Sequence, residues 1–313
     1  KIFKKMVISP NIQTKKLSSW VLLSVLGILW GSSFLSVKYA IIAFDPLQIA
    51  SFRLIIGFLV VFMFSLILKI HVFNVFHSQI YWIYCFGVAV LSNLLPFTIL
   101  AIAQEHLSTV FVGLCMATIP LLIMVLSLFL LKEEPFSLKK LIGLLIGLSG
   151  SCILVLSKAK TDFEYNQSTN IMFIFLCILA TFSYSLGAII IRKSEPVNLL
   201  AFTTHALFIA SVLSLPFLFN QGLISSKFDY KSIFAILNLG LLSTGMATII
   251  LIYLIKKEGP IFLSLVNFKV PLWSTIFGFL ILKEVLPNNF ILSAFFILLG
   301  IFICQSKKVI KNL

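Results

Sequence analysis

Charge is what this 313-residue chain has least of. Asp, Glu, Lys and Arg make up 11% of it, against about 25% in an ordinary soluble domain. With 60% hydrophobic residues and a mean hydropathy of +1.12, it would show water too much apolar surface. That excludes a water-soluble enzyme, and the same hydrophobicity excludes a disordered chain. Carboxylates are the scarcer sign: there are ten, all in connectors or at the ends of apolar runs. A carboxylate buried in the membrane is a common proton relay in pumps, so its lack argues against that mechanism. Cysteine is sparse too. Cys85, Cys115, Cys152, Cys177 and Cys304 all lie in apolar runs without a CxxC, and read as buried hydrophobes, not disulfides or metal ligands.

HExxH and GxSxG are missing, and Glu133-Glu134 is the one carboxylate cluster near an apolar run. Intramembrane metalloprotease, serine-nucleophile and Mg²⁺-diphosphate transferase chemistry each lose their signature. No cofactor and no metal are expected. No repeated filter or charged ring marks a channel, and the connectors are too short for a soluble signalling domain.

What the chain does have is ten apolar runs, each meeting or approaching the roughly 20 residues that cross the hydrocarbon core. They lie at 18–43, 47–68, 80–103, 110–131, 138–156, 170–191, 199–219, 232–255, 261–282 and 289–305. Helix breakers and charges punctuate them at Asp45-Pro46, Lys132-Glu133-Glu134-Pro135, Lys193-Ser194-Glu195-Pro196 and Lys257-Glu258-Gly259-Pro260. The first run is too long for a signal-peptide core, so no cleavable leader is expected. The net charge of +14 sits in short connectors and not in a patch interleaved with aromatics, which excludes nucleic acid as a partner. Counted by side, sixteen Lys and Arg share a face with the N-terminal segment and five lie opposite. The expectation is a multi-pass protein of the plasma (inner) membrane with both termini cytoplasmic, and with Trp20 and Trp82 near the cytoplasmic interface.

Two stretches match at an offset of 151 residues: Pro120 maps to Pro271, and Leu131-Lys132-Glu133 maps to Leu282-Lys283-Glu284. A looser match at an offset of 154 takes Trp30 to Tyr184 and Lys38 to Arg192. Each unit then holds five spans, and an odd number inserts the two halves upside down relative to each other. Inverted repeats are characteristic of secondary transporters, whose site lies at the repeat interface. The expected fold is all-α: a polytopic membrane protein, ten transmembrane helices as two inverted five-helix repeats. Its parts are a basic cytoplasmic segment (1–17), a first repeat (18–156), an extracytoplasmic linker (157–169), a second repeat (170–305) and a cytoplasmic tail (306–313).

These features carry a resemblance. Trp30-Gly31-Ser32-Ser33-Phe34, then Pro46 with Ser51-Phe52-Arg53-Leu54, then the two Pro and Leu-Lys-Glu pairs, together resemble EamA-type members of the drug/metabolite transporter superfamily. The resemblance covers nearly the whole chain and implies movement of amino acids and other small metabolites. Span 7 departs from it, having no counterpart of Arg53.

Within the spans the cations are Lys38, Arg53 and Lys269. A membrane-embedded cation is costly and usually faces a cavity or a partner. Lys38 reads equally as a snorkelling side chain. Lys269 lies about eight residues, roughly 12 Å, inside span 9 at ~1.5 Å per residue. Arg53 and Lys269 are therefore expected to bias a cavity toward solutes bearing a carboxylate. That cavity is expected to be lined by Trp30, Ser32, Ser33, Asn93, Met116, Thr118, Pro120, Tyr184, Thr244, Asn267, Lys269, Pro271 and Trp273, the polar, aromatic and proline positions at mid-depth. Two charge pairs are expected as gates: Glu284 with Lys38 and Arg53 at the outer end, and Glu133 with Arg192 at the inner end. The alternative is that these glutamates merely end their helices. His205 reads either as a proton relay or as a histidine bonded to a neighbouring helix. Gly143, Gly147 and Gly150 make span 5 a packing or homodimer helix. The function expected is a secondary transporter exporting a small carboxylate-bearing metabolite by alternating access. The alternative is a membrane-embedded enzyme acting on a lipid-linked substrate.

Overall fold

The computed structural model describes residues 16–70, 72, 78–107, 109–131, 137–158, 167–194, 198–219, 229–283, 286 and 289–304. Among these residues every regular element is helical. We number the rods α1 (Lys16–Ala40), α2 (Pro46–Ile67), α3 (Gln79–Val88, Ala89–Leu94 and Leu95–His106), α4 (Thr109–Met116 and Ile119–Leu130) and α5 (Leu138–Lys158). The remainder are α6 (Gln167–Lys193), α7 (Leu199–Ser214), α8 (Tyr230–Gly240, Leu241–Met246 and Ala247–Glu258), α9 (Pro260–Ser264 and Val266–Leu282) and α10 (Phe290–Cys304). Seven of them, α1, α2, α3, α6, α7, α8 and α9, are long and apolar enough to cross a membrane, while Ile119–Leu130 and Phe290–Cys304 are shorter apolar helices. Side chains such as Phe129 (79% exposed) and Ile291 (82% exposed) crowd the outer surface, as befits a lipid-facing shell.

Local chemistry sets the helix ends. Asp45 caps α2 in a capping box: its backbone N–H donates to Gln48 Oε1 at 3.2 Å, and Pro46 fills the first turn, where no amide is needed. Asn198 Oδ1 caps α7 by accepting from the Leu200 and Ala201 amides. Between α8 and α9 the chain reverses at Gly259 with φ 94°, and Pro260 opens the next helix. A side chain at Gly259 would be strained in that left-handed conformation.

Three rods are irregular for identifiable reasons. In α3, Pro96 has no N–H to give the carbonyl of Ser92, and the preceding turn, Ala89–Leu94, widens to π geometry. A second π turn, Leu241–Met246, sits in α8 at the matching place (241 against 89, an offset of 152). The apolar run at 110–131 predicts an unbroken α4. It breaks at Ala117-Thr118, where Thr118 Oγ1 donates to the Cys115 carbonyl at 2.7 Å and Pro120 follows.

Helix packing is paired. Helix α1 packs on α9 and α8; α6 packs on α4 and α3; α2 packs on α7 and α8; α7 packs on α3; and α5 packs on α10. Small residues allow the closest approaches. A Cβ on Gly300 would lie 2.5 Å from the Gly143 carbonyl oxygen and 2.5 Å from the Gly147 amide nitrogen. The glycine face of α5 is thus covered within the same chain, by α10 at Gly143 and Gly150 and by Phe268 of α9 at Gly147.

Candidate functional site: a cavity between the two halves

One cavity, with about 850 Å³ of empty space including its open mouth, runs between the helices. Its wall is drawn from α1, α3 and α4 in the first half and from α6, α8 and α9 in the second, with Arg53 reaching in from α2. The lining follows helical stripes. Trp30, Ser33, Phe34 and Val37 lie on one face of α1, and Phe97, Leu100, Ala101 and Gln104 on one face of α3. Positions 151 apart recur in the wall: Leu100 and Leu251, Gln104 and Ile255, Met116 and Asn267, Ile119 and Val270. A smaller adjoining space of about 290 Å³ adds Asn93 and Thr248.

Arg53 dominates the electrostatics. It is 8% exposed, deep in a hydrophobic protein. Its Nε donates to Thr244 Oγ1 at 3.1 Å, and its guanidinium carbon lies 3.6 Å from the centroid of the Phe97 ring. One nitrogen is thereby fixed and the plane is stacked, which orients the fork formed by the other two. Among the described residues no carboxylate lies within ion-pair distance of Arg53, and its two Nη atoms make no hydrogen bond. A buried guanidinium holding spare donors on a cavity wall can take a carboxylate in bidentate fashion.

The remaining polar groups are few. Asn267 is 4% exposed; its Nδ2 donates to the Ser264 carbonyl at 3.0 Å, while its Oδ1 is buried without a partner. Gln104 is arranged likewise: Nε2 donates to the Leu100 carbonyl at 3.1 Å and Oε1 is left unpartnered. An unmet buried acceptor costs about 1–3 kcal/mol, so each invites a donor.

Of the residues expected to line a cavity, the structure gathers Trp30, Ser33, Met116, Tyr184 and Asn267 on the main wall and Asn93 on the adjoining space. Thr244 supports that wall through Arg53. The others take part in helix contacts. Ser32 accepts from Asn238 of α8 at 3.3 Å. Thr118 and Pro120 make the break in α4. Pro271 faces Gly113, and Trp273 covers Gly31, where a Cβ would meet it at 2.5 Å. Lys269 turns to α1: its Nζ donates to Ser24 Oγ at 2.7 Å and stands 5.8 Å from the Trp20 ring centroid. Helices apolar on all sides give no period from which to read such facings. The same blindness hides Val37, Phe97, Leu100 and Ile191, whose signal is only their spacing of four or seven from Ser33, Asn93 and Tyr184.

The expected gate partners Glu133 and Glu284 lie outside the described residues. Lys38 is exposed at the end of α1. Arg192 donates from Nη1 to the Lys256 carbonyl at 2.7 Å, and Lys256 Nζ donates to the Ser194 carbonyl. Nearby, Ser19 Oγ donates to Glu258 Oε1 at 2.7 Å, and Lys257 Nζ donates to Ser19 Oγ at 3.0 Å. Hydrogen bonds thus join α1, α6 and α8 at the Gly259 end of the bundle. His205 is held from two sides. Its Nε2 donates to the Val72 carbonyl at 2.7 Å, and its Nδ1 shares a 2.7 Å hydrogen bond with the Tyr81 hydroxyl.

Known proteins point the same way. An "Uncharacterized transporter" of Archaeoglobus fulgidus is 24% identical over 293 residues, covering 93% of this chain and all of that protein. The "Uncharacterized transporter YoaV" of Bacillus subtilis is 26% identical over 291 residues, covering 90% of this chain and 95% of that protein. A solved crystal structure superposes with a TM-score of 0.77 at 17% identity, over 93% of this chain and 97% of that one, and shares the fold. The EamA-like transporter family matches residues 18–156 and again 171–304. Family and relatives alike are described as transporters, and nothing in them supports a membrane-embedded enzyme. The chain therefore belongs to the EamA-like transporter family, within the drug/metabolite transporter superfamily, and is a membrane protein.

Proposed function

We propose that this protein is a secondary transporter that exports a small carboxylate-bearing metabolite, amino acids included, across the plasma membrane by alternating access. The observation that carries the reading is Arg53, a buried guanidinium with two unengaged nitrogens on the wall of the central cavity. A cation at that depth is retained where it meets an anion or a watered cavity. Its surroundings are apolar, so an incoming carboxylate exchanges water for a charge-assisted pair in a medium where such pairs are strong.

Ten spans as two inverted five-helix repeats complete the proposal, with both termini cytoplasmic. The packing supports it, because α1 on α9 answers α6 on α4, and α1 on α8 answers α6 on α3. So do the two π turns and the wall positions 151 apart. In such an arrangement the hydrogen bonds at the Gly259 end form the cytoplasmic seal, which the cycle breaks and remakes.

Purified protein in liposomes loaded with a radiolabelled amino-acid panel, assayed with and without a pH gradient, tests the reading. Saturable efflux that Arg53→Gln depresses for carboxylate solutes is the expected result. Unsaturable flux with single-channel currents, or efflux unaffected by Arg53→Gln, would overturn it.

A further inference from the structure

The cavity is alike in position on its two sides but not in chemistry. Where α4 offers the thioether of Met116, α9 offers the carboxamide of Asn267, 151 residues on, and both face the same space. The carboxamide is only half used. Its nitrogen donates one N–H to the Ser264 carbonyl one turn back, which fixes which end of the amide is oxygen. Its oxygen is buried with nothing to accept. Pro271, four residues on, also has no N–H to give the Asn267 main-chain carbonyl. Two acceptors of Asn267 therefore sit together on the α9 face of the wall, which Leu251, Leu263 and Val270 also line.

We propose that Asn267 is a specificity-determining residue whose Oδ1 accepts a hydrogen bond from a donor group on the solute, so that the cavity selects solutes carrying a hydroxyl or ammonium in addition to their carboxylate. The proposal rests on the Arg53 reading for the carboxylate and adds the second point of attachment. A solute that supplies the donor relieves a buried acceptor; one that lacks it leaves that acceptor unmet and binds more weakly. Met116 cannot do this, because a thioether is a poor acceptor.

The test is calorimetric titration of the full-length protein in lipid nanodiscs with four probes that share a branched aliphatic tail. These are L-leucine, 2-hydroxy-4-methylpentanoate, 4-methylpentanoate and leucinol. Wild type binds the first two about tenfold more tightly than 4-methylpentanoate, the equivalent of one hydrogen bond. Asn267→Leu brings all three carboxylates to the affinity of 4-methylpentanoate, whose own binding is unchanged. Asn267→Asp, which keeps the acceptor, keeps the preference. Equal binding of the three by wild type overturns the proposal. So does a preference that survives Asn267→Leu, or a loss of all three together. Leucinol binding as tightly as leucine would sink the Arg53 reading alone, since leucinol keeps the donors and lacks the carboxylate. No binding of any probe would sink both.

Discussion

Arg53 and Thr244 are 191 positions apart in sequence and 3.1 Å apart in space, joined from Nε to Oγ1. The bond ties α2 of one half to the π turn of α8 in the other. Gly57, one turn along α2 from Arg53, makes room for it: a Cβ there would lie 2.7 Å from Thr244 Cγ2. The threonine thus sets the pose of the cation that, among the described residues, lies on the cavity wall.

Thr244→Val keeps the shape and deletes the acceptor. Released from its anchor, the Arg53 fork spends part of its time misdirected, and affinity for carboxylate solutes falls by about tenfold, in keeping with a charge-assisted bond. Arg53→Lys keeps the charge but loses both the fork and the stacking on Phe97, and falls further than Thr244→Val. Equilibrium binding on folded, monodisperse protein checks both. Wild-type affinity in Arg53→Lys would show that a point charge suffices.

Gly300→Ala is expected to destabilise the protein without touching the site. The new methyl meets the Gly143 oxygen and the Gly147 nitrogen at 2.5 Å, and backbone atoms yield only if α5 and α10 separate. Overpacking of this kind costs about 1–3 kcal/mol, readable as a lowered melting temperature in detergent. Among the described residues neither helix contributes to the cavity lining, so the solute affinity of the folded fraction stays at the wild-type value.

His205→Gln should leave transport and its pH profile unchanged. Glutamine can donate to the Val72 carbonyl and share a hydrogen bond with the Tyr81 hydroxyl as the histidine does. Tyr81→Phe, by contrast, strands a ring nitrogen and lowers thermal stability by about 1 kcal/mol. Flux measured from pH 6 to pH 8 in liposomes separates the two roles, because a relay histidine would flatten the profile when replaced.

How much of this was legible in the sequence follows from what sequence patterns encode. Ten apolar runs broken by Asp45-Pro46 and Gly259-Pro260 gave the order of the rods, since breakers and caps are local chemistry. Arg53 and Asn267 stood out because polar side chains in apolar runs are conspicuous. The facing of each helix was not legible. Lys269 and Trp273 look as deep and as notable as Arg53, yet they turn onto α1, and a run with no polar face holds nothing to say so. The π turn of α3 is foreshadowed by Pro96. That of α8 has no proline, because Ala247 opens the following segment, and only its pairing with α3 across the two halves brings it out.

The claim on which the rest depends is that two oppositely inserted halves share this cavity, and labelling from either face of the membrane tests it most directly. His106 ends α3 and Lys257 is the last residue but one of α8, 151 positions apart. In a cysteine-free background, His106→Cys and Lys257→Cys are each exposed to a membrane-impermeant maleimide in right-side-out and in inverted vesicles. The account predicts that His106→Cys reacts from the outside and Lys257→Cys from the cytoplasmic side. Reaction of both from the same face would contradict it.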